Sequence, residues 1–147
     1  MENITIASLG YLMDRTLWVM SNTLQTALKE HGIDLPHSQY TVLRTLFEHN
    51  GLSQNEIAVL LHKDAAAIKR SIDYLEKKDF VFRKPISGCK YGIYLTDYGE
   101  KLKPQIITIA DNTFKSLLSG ISNETYQIGL SFLESIYKSG IAKKNER

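Results

Sequence analysis

Residues 53–96 place two short helices at a tight turn and run them directly into a basic β-hairpin, an order that leaves few folds open. The stretch reads SQNEIAVLLHKDAAAIKRSIDYLEKKDFVFRKPISGCKYGIYLT. Ser53 and Glu56 have the spacing of a capping box, in which each side chain satisfies the other residue's backbone amide, so a helix is expected to start at Gln54. Its apolar stripe is Ile57, Ala58, Leu60 and Leu61. Asp64 is the expected N-cap of a second helix beginning at Ala65. On that helix Ile68, Ile72 and Leu75 recur at i, i+4, i+7 and are expected to face a core. The opposite side then carries Ala66, Lys69, Arg70, Asp73 and Lys77, a face suited to reading a DNA groove.

The charge distribution agrees with this assignment, although the net charge of the 147 residues is only +2. Residues 63–103 hold ten Lys/Arg against six Asp/Glu, whereas the remainder of the chain holds eight against ten. The hairpin itself has Arg83, Lys84 and Lys90 with no acid between them. A hydrophobic content of 43% is sufficient for a real core.

The rest of the chain reads as helix. From about residue 6 to 30, Leu9, Leu12, Met13, Leu17, Met20, Leu24 and Leu28 keep helical spacing, with Gly32 as the stop. After Leu35-Pro36 a second helix carries Tyr40, Val42, Leu43, Leu46 and Phe47, and Asn50-Gly51 closes it. Residues 80–83 and 91–95 are expected to form the hairpin arms around Ser87-Gly88, with Tyr91, Ile93 and Leu95 alternating inward. Thr96 should cap a helix running to about residue 119, bent or restarted at Pro104. Ser122 should cap a last helix with Tyr126, Leu130, Leu133 and Tyr137 along one seam, ended by Gly140. The predicted fold class is mainly α with a small β-hairpin wing (α+β), a winged helix-turn-helix with N- and C-terminal dimerisation helices. Its expected parts are a dimerisation helix at 1–34, a DNA-binding lobe at 35–103 (helix-turn-helix 54–77, wing 80–95) and C-terminal dimerisation helices at 104–147. The apolar stripes of the outer helices need a further surface, which a second copy supplies economically. A homodimer also presents two recognition helices to successive major grooves, about 34–36 Å apart.

This arrangement resembles the MarR family of bacterial transcriptional regulators over nearly the whole chain. The likeness is sharpest in LPHSQYTVLRTLFEHNGLSQNEIAVLLHKD, SIDYLEKKDFVFR and YLTDYGEKL. It implies a homodimeric regulator of double-stranded DNA, most often a repressor, whose grip on a near-palindromic operator is relaxed by a small aromatic or lipophilic effector. Carried over by position, the recognition helix is 65–78. Arg70 is the expected base-edge contact, because a guanidinium grips two acceptors at once. Lys63, Lys69, Arg83, Lys84 and Lys90 are expected on phosphates. Ala66 and Ala67 would touch thymine methyl groups, and Ser53 and Gln54, at a helix start, could meet a phosphate. The family's usual Asp-x-Arg of the wing falls at about Ser87-Gly88-Cys89, so that pair is missing and wing readout should be weaker. The implied effector pocket would draw on Tyr11, Arg15, Trp18, Tyr40 and His49.

Other functions find little in the residues. There is no Gly-rich phosphate loop, nucleophile elbow or paired acid/base motif, so no enzyme is expected and no cofactor is implied. Cys89 is the single cysteine, which excludes an internal disulfide, and His31, His37, His49 and His62 lack metal-ligand spacing, so no metal is predicted. No apolar run approaches the roughly 18 residues of a membrane span. The segment MENITIASLG lacks the basic start of a signal peptide, which predicts a cytoplasmic protein without membrane contact. The alternative to DNA binding is a winged-helix module that docks protein on a flat surface at Ala65-Ala66-Ala67.

Overall fold

The computed structural model describes residues 5–147 and contains six helices and one antiparallel hairpin in the order α1 (Ser8–Glu30), α2 (His37–Glu48), α3 (Gln54–Leu61), α4 (Ala65–Lys77), β1 (Val81–Ser87), β2 (Lys90–Leu95), α5 (Asp97–Leu117) and α6 (Asn123–Asn145). Two compact units divide after Phe114, within the last turn of α5.

The first unit is built on one apolar core. Leu24 and Leu28 from α1, Val42, Leu43 and Leu46 from α2, Ile57 from α3, and Ile68, Ile72 and Leu75 from α4 are all buried. Ile93 and Leu95 from β2 and Ile106 from α5 complete it. The hairpin pairs Val81 with Leu95 at its base, through Arg83 with Ile93, to Ser87 with Lys90 at its tip, with an irregularity between Pro85 and Ser87. A third backbone segment joins its inner edge, where Gly51 N–H donates to the Ile93 carbonyl and Ile93 N–H to the Leu52 carbonyl, both at 2.8 Å. Gly92 makes that approach possible, because a Cβ there would lie 2.8 Å from the Gly51 carbonyl oxygen. The wing is therefore anchored to the entry of α3 as well as to the end of α4.

Several expectations change on contact with the structure. Helix α1 begins at Ser8, and of its seven stripe residues only Leu24 and Leu28 are buried; Leu12 and Leu17 are about half exposed. Leu60 is 50% exposed because α3 turns only Ile57 and Ala58 fully inward. Tyr91 is also exposed, since it sits near the hairpin tip, beyond the reach of the core that covers Ile93 and Leu95. The strands extend farther than expected, and the turn falls at Gly88-Cys89. Pro104 neither ends nor restarts α5. A proline inside a helix costs about 3 kcal/mol, and burial of Ile106 and Ile109, at roughly 1.5–3 kcal/mol each, offsets it.

Residues 115–147 form the second unit, in which α6 begins at the Ser122 cap, whose hydroxyl oxygen accepts from Thr125 N–H at 3.1 Å. The helix continues past Gly140 to Asn145, because one glycine lowers helix propensity by only about 1 kcal/mol. None of its residues is buried, including the seam of Tyr126, Leu130, Leu133 and Tyr137.

Candidate nucleic-acid interface

The two central helices are set by their caps. Ser53 Oγ accepts from Glu56 N–H at 3.3 Å, while Ser53 N–H donates to Glu56 Oε2 at 2.7 Å. These bonds, with a smaller contribution from Lys90, hold the Glu56 carboxyl below the usual carboxylate range. His62 leaves α3 in the left-handed region, and two residues later Asp64 Oδ1 accepts from Ala67 N–H at 2.8 Å to start α4. Gln54 Nε2 bridges the two helix starts by donating to the Ala65 carbonyl at 3.1 Å. Ser53 is thus buried as a cap and the Gln54 amide is engaged within the protein, so neither side chain is presented as the free phosphate ligand suggested by their place in the sequence.

Helix α4 turns Ile68, Ser71, Ile72 and Leu75 into the core and leaves Ala65, Ala66, Lys69, Arg70 and Lys77 exposed, with Ala67 half-buried. The outward face matches the spacing in the sequence. Lys69 Nζ lies 2.7 Å from Asp73 Oδ2, whereas among the described residues no ion pair involves Arg70, Lys63 or Lys84. Lys84 instead lies over the Tyr94 ring at 5.8 Å, and Lys90 is half-exposed at 3.8 Å from Glu56.

Arg83 departs from its expected place on a phosphate. Its Nη2 is 2.6 Å from Asp73 Oδ1 and its Nη1 is 2.7 Å from Glu76 Oε1, with only 25% of the side chain exposed. Asp73 is accordingly held below its ordinary pKa, first by Lys69 and then by Arg83. No helical spacing connects these residues, so this arrangement had no periodic signal in the sequence. Between the α3 start and the wing lies a groove of about 620 Å³, bordered by Gln54, Asn55, Arg83, Cys89 and Lys90. Cys89 is exposed at the hairpin turn.

The five residues expected around an effector do not form one pocket. Tyr11, Arg15 and Trp18 are exposed on α1, with the Arg15 guanidinium 5.6 Å from the Tyr11 ring centre. Tyr40 is half-buried on α2, where burial raises its phenol pKa, and His49 is exposed at the end of that helix. A separate cleft of about 490 Å³ takes none of them; Leu17, His37, Thr41, Lys63, Arg70 and Ser71 help line it. Burial, and then the nearby Lys63 charge, lowers the His37 pKa. The only signal for this cleft in the sequence was Ser71, a polar residue on the inward face of α4. Among the described residues no group of three or more His, Cys, Asp or Glu is placed to hold a metal ion, and no helix is long and apolar enough to cross a membrane.

This geometry has known counterparts. Residues 35–88 match the sequence profile of the MarR family. An uncharacterized HTH-type transcriptional regulator of Bacillus subtilis (strain 168), YybA, is 25% identical over 109 residues, covering 73% of both proteins. A MarR transcriptional regulator from Methanosarcina mazei Go1 superimposes with a TM-score of 0.85 at 21% identity, covering 95% of this chain and 93% of that one. The MepR protein of S. aureus, solved in complex with DNA, gives a TM-score of 0.78 at 24% identity, with coverage of 93% and 98%. The chain belongs to the MarR family: its residues 35–88 carry the family's winged-helix module, set within the fold of a MarR transcriptional regulator.

Proposed function

We propose that this protein is a sequence-specific regulator that binds a near-palindromic operator as a homodimer and represses transcription. The observation that carries this reading is the solvent face of α4, where Ala66, Lys69 and Arg70 are exposed on a helix capped at both its own start and that of α3. A helix presented in this way enters a major groove, with Arg70 at a base edge and Ala66 and Ala67 against thymine methyl groups. Lys63, Lys69, Lys84 and Lys90 supply phosphate contacts. The MepR–DNA complex supports the use of this fold on duplex DNA.

Exposed apolar side chains support the dimer. Tyr11, Leu12, Leu17 and Trp18 on α1, and separately Ile128, Leu130, Phe132 and Leu133 on α6, are all more than 40% exposed. Long helices with this much uncovered apolar surface are expected to close on a second copy. An effector, a small aromatic or lipophilic molecule, would relax DNA binding by preferring one spacing of the two recognition helices. The 490 Å³ cleft is a candidate seat, and Trp18 offers a fluorescence signal.

Selection of genomic fragments with purified protein, followed by affinity measurements across salt concentrations, tests the function. Four phosphate-contacting lysines on each of two protomers set a ceiling near −7 for the slope of log affinity against log salt, at about −0.9 per contact. The absence of any duplex binding at low salt would instead favour a protein-docking module. Sedimentation as a monomer at micromolar concentration would remove the dimer, and unchanged DNA affinity at saturating aromatic acid would remove the effector.

A further inference from the structure

The ion-pair network between the wing and the recognition helix assigns Arg83 a task distinct from that of the other basic residues. Strand β1 leaves α4 after only residues 78–80, and this junction is firmly closed: Phe80 N–H donates to the Leu75 carbonyl at 2.9 Å, and Asp79 N–H to the Glu76 carbonyl at 3.0 Å. Asp79 adopts the left-handed conformation, and its carbonyl accepts from the Thr96 hydroxyl. The outer half of the hairpin has no such ties, with residues 84–91 exposed throughout. Arg83 sits between these two regimes. Its two terminal nitrogens reach back to Asp73 and Glu76, which are three residues apart and therefore on one side of α4. A planar guanidinium fork can span two carboxylates in this way, whereas a single ammonium cannot.

The same two carboxylates pose an electrostatic problem. They project from the helix that must approach a polyanion, and without a partner each would repel it. Lys69 offsets part of Asp73, while Glu76 has Arg83 as its ion-pair partner among the described residues. We propose that Arg83 is a positioning residue, clasping the wing to the recognition helix and screening Asp73 and Glu76 from DNA while making no phosphate contact itself. The proposal rests on the DNA-binding function in its DNA arm but on the free protein alone in its exchange arm.

The test compares wild type with Arg83→Lys and Arg83→Gln, using amide hydrogen exchange on the free protein and salt-dependent affinity for the selected duplex. Asp73→Asn/Glu76→Gln opens the clasp from the opposite side and serves as a second exchange variant. All three variants should speed exchange of the hairpin amides while leaving those at Ile68 and Ile72 unchanged. Both Arg83 variants should lose operator affinity about tenfold, the scale of a broken network of this kind, and keep the salt slope within about half a unit of wild type. Wild-type behaviour of Arg83→Lys, together with a slope reduced by about one unit in Arg83→Gln, would make Arg83 a phosphate ligand and overturn the proposal. Unchanged hairpin exchange in every variant would overturn it equally. If wild type binds no duplex, the regulator function fails while the exchange arm still decides the clasp.

Discussion

Arg70→Ala separates DNA reading from folding more cleanly than any other substitution in this chain. The side chain is exposed, and among the described residues it has no ion pair, so its removal leaves no carboxylate stranded. Arginine and alanine are both good helix formers. A surface change of this type moves stability by no more than about 0.5 kcal/mol, which predicts an almost unchanged thermal midpoint. On the operator, loss of a two-pronged base contact should cost about 1–3 kcal/mol. At 1.4 kcal/mol per tenfold, this is a roughly 5- to 150-fold weaker complex. A scrambled duplex offers no matched base edge and should lose less. Fluorescence anisotropy with both duplexes at one salt concentration, alongside thermal unfolding of the variant, measures each quantity. Equal losses on both duplexes would move Arg70 to the backbone, and a midpoint lowered by more than a few degrees would make it structural.

Ser53→Ala removes the buried half of the capping box and should cost about 1 kcal/mol in urea unfolding at neutral pH; no loss would mean that Glu56 alone holds the helix start. Glu56 has a depressed folded pKa, so its contribution is present above its unfolded pKa near 4.5 and fades as pH falls through the folded value. Glu56→Gln should therefore flatten the acid limb of the stability curve. Gly99→Ala places a Cβ 2.3 Å from the Phe80 carbonyl oxygen, a backbone clash where α5 starts. It should destabilise by at least 1–3 kcal/mol, the usual scale of overpacking, and an unchanged thermal midpoint would refute the contact. His37 should titrate below its ordinary 6.5 by NMR and recover only part of the difference in Lys63→Gln, since burial is the larger cause. Its neutral form is favoured in the fold, so its contribution to stability is complete above the unfolded pKa and declines as pH falls toward the folded one. A midpoint at or above 6.5 would contradict that burial.

The parts of this structure legible in the sequence are those whose chemistry is local. Ser53 with Glu56, Asp64 with Ala67, and Ser122 with Thr125 are each three residues apart, so a cap carries its own partner in the string. Ile68, Ile72 and Leu75 were readable for a similar reason, since one helical period decides which way they point. Burial is different, because it depends on what lies opposite. Leu12 and Leu60 have apolar side chains at helical spacing, yet nothing within the first unit covers them fully. Pro104 misleads for the same reason: a local penalty was outweighed by Ile106 and Ile109 packing elsewhere. Arg83 was legible as a cation but not as a clasp, because Asp73 and Glu76 lie on another element and meet it only after the chain has turned at Asp79.

This difference between charge content and charge commitment leads to a quantitative expectation for DNA binding. Lys63 and Lys84 have no carboxylate partner among the described residues, whereas Lys69 is tied to Asp73 and Lys90 lies near Glu56. Exposed pairs of that kind are worth only about 0–1 kcal/mol, so a phosphate can compete for either lysine. Every one that leaves its carboxylate adds to the salt dependence. If only Lys63 and Lys84 engage on each protomer, the dimer's slope is about −4; if all four engage, it approaches −7. Lys69→Gln and Lys90→Gln, measured singly over the same salt series, identify which pair opens. A wild-type slope clearly steeper than −7 would mean that cations outside this set reach the backbone, and the assignment of contacts to α4 and the wing would then be incomplete.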